Sequence, residues 1–266
     1  MMKSEARRRQ KLPEFLRTEE LRSVDLDSKQ ALITERRILR KKKFLRKVYR
    51  KFYGMLKTES IGVPSGYRVE VGSGPGFIKE IIPGTITSDV IMAEGIDRVF
   101  SAEKMPFEKK SVGCIYLVNV LHHMRMPERF LGECERCLKT GGRVVMIETA
   151  NTPFSRFVYK NFHQEGFDEN QKSWHNSHAK RLSNSNQAMA WMIFTRDRKK
   201  FEKMFPGLRI VKMRPHTPFT FILSGGLTMK NLVPSVTYPV FAFLEKIVSP
   251  LNGAIGLFCT IVLEKV

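Results

Sequence analysis

The sequence predicts an α/β protein, a doubly wound and mostly parallel sheet with a basic helical extension at its N-terminal end. Three observations predict it. An apolar run at 67–71 breaks into glycines at 72, 74 and 76 and then into a helical pattern at 77–82, which reads as strand, tight turn and helix. Further strand signals at 85–89, 96–100, 112–118 and 143–148 alternate with turn or helix signals, the order that gives parallel strands joined by crossovers. The run at 112–118 is apolar almost throughout, as a central strand covered on both faces must be.

The elements follow in order. Residues 1–57 hold 19 Lys/Arg against 7 Asp/Glu, a net of +12, so most of the chain's +20 is concentrated there as a separate electrostatic module. Within it Leu32, Ile38, Leu39, Phe44, Leu45, Val48, Phe52 and Leu56 recur at threes and fours, predicting helices with a basic outer face. Three readings of this extension, residues 1–60, stay open: a cap packed on the core with solvated lysines, a surface held against anionic lipid, or an RNA-binding arm. A turn at 62–66 leads into the central domain, 61–266. Pro83-Gly84 ends the first helix, and Pro127 opens another that runs to 138 and stops at Gly141-Gly142. A helix from Arg196-Asp197 to Phe205 precedes a strand at 208–213, and a final strand is expected at 256–264.

At 266 residues and 42% hydrophobic the chain is long and apolar enough for a substantial core, which excludes a disordered protein. Its pI near 10.0 points to polyanionic surroundings. Cys134 and Cys137 form a lone C-x-x-C inside a helical pattern with no second pair, so the four cysteines read as small apolar residues of a reduced protein and no metal is expected. The basic N-terminus lacks an apolar stretch behind it and does not read as a secretory signal, and no apolar run is long enough to span a bilayer.

The chemistry begins at the glycine turn. Glycines there permit unusual torsions and close approach of a ligand to the backbone. The dinucleotide fingerprint needs a glycine where Phe77 stands, and no Lys-Ser or Lys-Thr follows Gly76, so neither a nicotinamide site nor a P-loop is expected. Glu70, two places before Gly72-Ser73-Gly74-Pro75-Gly76, with Asp89 closing the second strand 17 residues after Gly72, resembles the class I S-adenosylmethionine-dependent methyltransferases (methyltransferase type 11-like). The resemblance extends to Ser101-Ala102-Glu103-Lys104-Met105-Pro106-Phe107, where Ser101 replaces the family's acid, and to Asn119 after the fourth strand. It covers 67–149, weakens beyond, and is absent from the first 60 residues.

That resemblance implies a Rossmann-like seven-stranded sheet whose last two strands form an antiparallel edge hairpin, here separated by a long insertion. It implies S-adenosyl-L-methionine as cofactor, held by Glu70, Gly72, Ser73, Gly74, Gly76, Asp89 at the ribose, Ser101, Ala102 and Glu103 at the adenine, and Asn119. The implied reaction is attack of an acceptor lone pair on a sulfonium methyl, which rests on alignment and needs a base only for a hydroxyl. His123, in the loop after the fourth strand, and His163, close to Glu165 and Asp168, are the candidate bases, with packing and capping as their alternative roles.

Residues 150–195 and 214–255 are where the acceptor or lid is expected, and the second segment carries more apolar residues than a solvent-facing connection needs. With the basic arm, these residues predict a cytoplasmic protein, peripheral at a membrane surface, that methylates the hydroxyl of a small or lipid-linked (glycan or prenyl) acceptor. An RNA methyltransferase is the alternative, although no N/D-P-P-Y-type segment follows the fourth strand. A non-catalytic polyanion-binding protein is the other.

Overall fold

The computed structural model describes residues 18–21, 24, 25, 27–163, 165–176 and 185–266. Residues 1–17 of the basic extension, Gln164 and His178 lie outside the described residues.

Seven strands form one sheet in the order β3-β2-β1-β4-β5-β7-β6. β1 (Tyr67–Glu70), β2 (Thr85–Asp89), β3 (Arg98–Val99), β4 (Val112–Val118) and β5 (Leu138–Thr149) run parallel, and β7 (Phe258–Lys265) enters antiparallel between β5 and β6 (Leu208–His216). The expected bounds of β2 and β4 hold to the residue. β4 is apolar because it is central, its first six residues being buried. The edge hairpin is pinned by Arg143 of β5, opposite Glu264 of β7 and bonded to it at 2.9–3.0 Å.

Two local expectations are corrected. The helix expected at 77–82 is a single 3-10 turn, Ile78–Glu80. Pro83-Gly84 leaves room for barely two turns, too few to propagate a helix without outside support. The Tyr53 hydroxyl moreover takes the Phe77 N–H at 3.3 Å, and the Phe77 ring is held between Tyr53 and the Arg46 guanidinium. The third strand shrinks from 96–100 to two residues. Asp97 turns its carboxylate onto the Thr87 N–H and hydroxyl instead of letting the ladder lengthen.

The basic extension is no separate module in its described part. α1 (Lys29–Lys41), capped by Ser28 whose hydroxyl accepts from the Ala31 N–H at 3.1 Å, and α2 (Lys43–Glu59) pack on the domain. Phe44, Val48, Phe52, Tyr53 and Leu56 of α2 share one continuous core with β1, β4, β5 and β7. The described residues pack as a cap on the core, with Lys43, Lys47 and Arg50 exposed on the outer face, which leaves open what that face meets.

α3 (Pro127–Cys137) leads directly into β5, and Cys134 and Cys137 are buried free thiols within or at the end of it. α4 (Pro153–Phe162) follows β5 behind a capping box at Thr152 and Ser155. A short α5 (Met189–Trp191) passes into a π-helical turn, and α6 (Arg198–Met204) starts beyond Asp197, whose carboxylate takes Arg196 and the Trp174 indole N–H instead of capping the helix. Between β6 and β7 the insertion forms α7 (Thr220–Leu223), α8 (Tyr238–Ile247) and α9 (Asn252–Ile255). Among the described residues no helix is long and apolar enough to cross a membrane.

Candidate active site

The carboxyl ends of β1, β2 and β4 and the segment after β3 open into a cavity of about 670 Å³. Such ends, where the strand order reverses, are where ligands bind in open α/β sheets. Glu70, Gly72, Ser73, Gly74, Asp89, Ser101, Ala102, Glu103, Asn119, His123 and His163 all line it. Eleven of the twelve residues singled out in the sequence therefore converge. Gly76 is the exception.

Gly76 faces away from the cavity. A Cβ there would lie 2.1 Å from the Tyr53 hydroxyl and 2.8 Å from the Ser73 carbonyl, so this glycine makes room for α2 and not for a ligand. Gly72 and Gly74 meet the expectation for a strained turn, with φ of +61° and +51°. Asp89 fastens that turn, its Oδ2 accepting from the Gly74 N–H at 3.0 Å and its Oδ1 from the Val90 N–H at 2.8 Å.

Glu70 is 2% exposed. Burial pushes its carboxyl up to about 8, against the opposing pull of the Ser73 and Tyr53 hydroxyls. Its Oε2 is buried with no hydrogen-bond partner, and so is Oδ1 of Asn119, which holds a left-handed φ of +56° at the end of β4. Two unsatisfied polar oxygens on residues that line one cavity beside a glycine turn fit a ligand that brings donors and positive charge. Among the adenine-side residues, Ser101 accepts from the Glu103 N–H at 3.2 Å. Glu103 gives one oxygen to the Met126 N–H at 2.8 Å, which fixes the start of α3.

The opposite side of the cavity is a network drawn from four segments. Glu148, fully buried at the end of β5, accepts from the Val120 and Leu121 N–H groups, both at 2.8 Å, and from His122 Nδ1 at 2.7 Å. His122 Nε2 meets the Gln187 side-chain nitrogen at 3.0 Å, and Gln187 also donates to Glu165 and accepts from Thr149. His122 is thus spent on structure. Its raised pKa reflects Glu148 and Glu165 overcoming burial.

Both histidines line the cavity, and His123 is the more exposed of the two, its Nε2 3.8 Å from Glu165 Oε1. Burial alone would raise the Glu165 carboxyl, yet His123, His122 and His163 outweigh it and hold the group down to about 2. His163 sits exposed at the rim, where its Nδ1 accepts the Glu165 N–H at 3.2 Å. Asp168 accepts from the Asn170 N–H at 2.9 Å and plays no part in the cavity.

Sequence reasoning missed Glu148, Gln187, Tyr49, Tyr53 and Glu35. Glu148 gave a signal, an acid closing an apolar strand, and Tyr49 and Tyr53 stand one helical turn apart. Gln187 gave none. The far wall of the cavity comes from the insertion: Phe221, Ile222, Leu227 and Met229, with Leu257 and Phe258. Lys42, at the break between α1 and α2, holds this wall through the Gly226 and Met229 carbonyls at 2.5 and 2.6 Å.

Residues 69–146 match the family model of a methyltransferase domain. No curated protein matches the chain. Among solved structures, geranyl diphosphate C-methyltransferase from Streptomyces coelicolor A3(2), held with Mg2+, geranyl diphosphate and S-adenosyl-L-homocysteine, superposes with a TM-score of 0.52 at 17% identity over 84% of this chain and 82% of that one. A geranyl diphosphate methyltransferase in complex with SAM gives 0.50 at 17% over 87% and 90%. A SAM-dependent methyltransferase from Thermotoga maritima, a possible histamine N-methyltransferase, gives 0.50 at 18% over 88% and 99%. At this identity the structures speak for the fold, and the matched domain speaks for the family. The match over 69–146 and the shared fold support a class I S-adenosylmethionine-dependent methyltransferase, with S-adenosylmethionine as the consistent cofactor.

Proposed function

We propose that the protein methylates a hydroxyl oxygen of a small or lipid-linked acceptor, a glycan or prenyl compound, as a peripheral enzyme at a membrane surface. The observation that carries this reading is the juxtaposition of the His123–Glu165 pair with the apolar wall of the insertion in one cavity. When bound, the cofactor supplies an electrophilic methyl on a sulfonium. A hydroxyl acceptor must lose a proton as it attacks, and His123 is placed to take it. The ionised Glu165, 3.8 Å away, then stabilises the imidazolium by its charge. His163 at the rim is the second candidate for a proton role.

Charge argues about the acceptor as well. Glu35, Asp89, Glu103 and Glu165 line the cavity beside the protonated Glu70, against Arg125 as the single Lys or Arg among the described lining residues. An acid-rich wall repels a diphosphate or an RNA backbone and accepts an uncharged molecule. This weakens the RNA alternative.

The test is label transfer from a methyl-labelled cofactor into lipid extract, glycan and RNA fractions. The proposal expects label in an uncharged or lipid-linked hydroxyl, lost in His123→Ala while cofactor binding persists. Label confined to RNA, or undiminished label in His123→Ala, would refute it.

A further inference from the structure

We infer that α8 and the turns flanking it form a bilayer-docking face that seats the protein on an anionic lipid surface. The inference rests on the lipid-linked reading of the acceptor and names the partner of that site. α8 is apolar on both sides. Inward, Tyr238 meets the Phe44 ring edge-on at 5.2 Å, Phe241 packs on the core, and Glu245 is buried and paired with Lys51 at 2.7 Å. Outward, Val236 is 80% exposed, Val240 59%, Phe243 62%, Ile247 58% and Leu251 59%.

These positions recur at fours and threes, so they make one stripe opposite the buried one. A helix facing water would turn its carboxylate out and its phenylalanine in. Here the order is reversed, and an apolar stripe of this extent marks a surface that meets something other than water.

The charges around the stripe say what. Lys246 is exposed on α8 itself, and Lys43 and Lys47 are exposed on α2 and make no ion pair with a described residue. The Lys47 ammonium lies 5.4 Å over the Tyr238 ring at the head of α8. An apolar wedge fringed by cations complements an anionic headgroup layer, where the lysines bind phosphates and the apolar side chains enter below them. A second element joins the face: α4 exposes Phe157 and Phe162, and it packs on α9, which follows α8.

The cavity is close behind. α7 packs on α8, and its Phe221 and Ile222 line the acceptor wall. Phe162 belongs to both the exposed face and the cavity lining. A docked protein would present its apolar cavity mouth to the layer from which a lipid-linked acceptor comes.

Co-sedimentation of the full chain with phosphatidylcholine vesicles, with and without phosphatidylserine, tests this. Binding is expected with phosphatidylserine and should weaken as salt rises. Phe243→Ser and Ile247→Ser each remove one exposed anchor and should weaken partitioning about tenfold. Calorimetric binding of S-adenosylmethionine to the same variants reports that they are folded. Unchanged partitioning of both variants would overturn the inference, as would absence of binding at low salt. Light scattering that shows a dimer which Phe243→Ser converts to monomer would assign the face to a second copy and overturn it too. Failure of the wild-type protein to bind the cofactor would strike the methyl-transfer reading, and leaves the vesicle result to be judged by itself.

Discussion

Glu70 should make cofactor binding release a proton. Its carboxyl, buried and pushed up to about 8, is about nine-tenths protonated at pH 7. S-adenosylmethionine carries a sulfonium and an ammonium cation, and an adjacent cation favours the carboxylate. If binding returns the group to the ordinary carboxylate range, about 0.9 proton is released per cofactor at pH 7. Affinity should then rise about tenfold per pH unit between roughly pH 5 and 8 and level off above.

The free protein should show the opposite slope. Between the ordinary value of 4.5 and about 8 the folded chain holds a proton that the unfolded chain has lost. Stability from this group is therefore complete below 4.5 and falls as pH rises to about 8, by up to ~1.4 kcal/mol per pH unit. Glu70→Gln, which stays neutral, should abolish both the proton release and this part of the slope. Calorimetry at pH 7 in two buffers of different ionisation enthalpy measures the released proton directly. Heats that do not depend on the buffer in the wild-type protein would refute the reasoning.

Three further outcomes follow from the same geometry. Tyr53→Phe removes a hydroxyl that pulls the Glu70 carboxyl down, so the rise of cofactor affinity with pH should move to higher pH, as a titration series by calorimetry would show. Gly72→Ala places a Cβ 2.6 and 2.8 Å from the two methyls of Val120 at a φ of +61°, which should cost about 1–3 kcal/mol in urea unfolding, and adding Val120→Ala should recover part of it. Glu148→Ala strands the Val120 and Leu121 N–H groups and His122 Nδ1 in the interior; a loss of roughly 3–5 kcal/mol is expected, while Glu148→Gln, whose amide oxygen still accepts, should lose less.

The sequence by itself determined the succession of parallel strands up to β5, the bounds of β2 and β4, the glycine turn and the acids that flank it. Each of these is written in consecutive residues: apolar runs bounded by turn signals, and glycines where torsions are left-handed. Ten of the eleven candidate site residues that line the cavity reached it for the same reason, because the end of a strand is a local feature that the fold then gathers at one edge of the sheet, while His163 comes from the end of α4.

Tertiary structure alone decided how α1 and α2 of the basic extension pack. Its charge suggested a separate arm, but Phe44, Val48, Phe52 and Leu56 are sealed into the common core, and Tyr53 enters the space that Gly76 leaves and displaces the helix expected after the turn. The Glu148–His122–Gln187–Glu165 network was equally out of reach. Its members come from β5, the loop after β4 and two loops around a long insertion, and nothing in any one segment announces the partner in another. The outward stripe of α8 is the third case: its apolar spacing is visible in the chain, yet only the packed fold shows Glu245 turned inward to Lys51 and Phe243 left facing out.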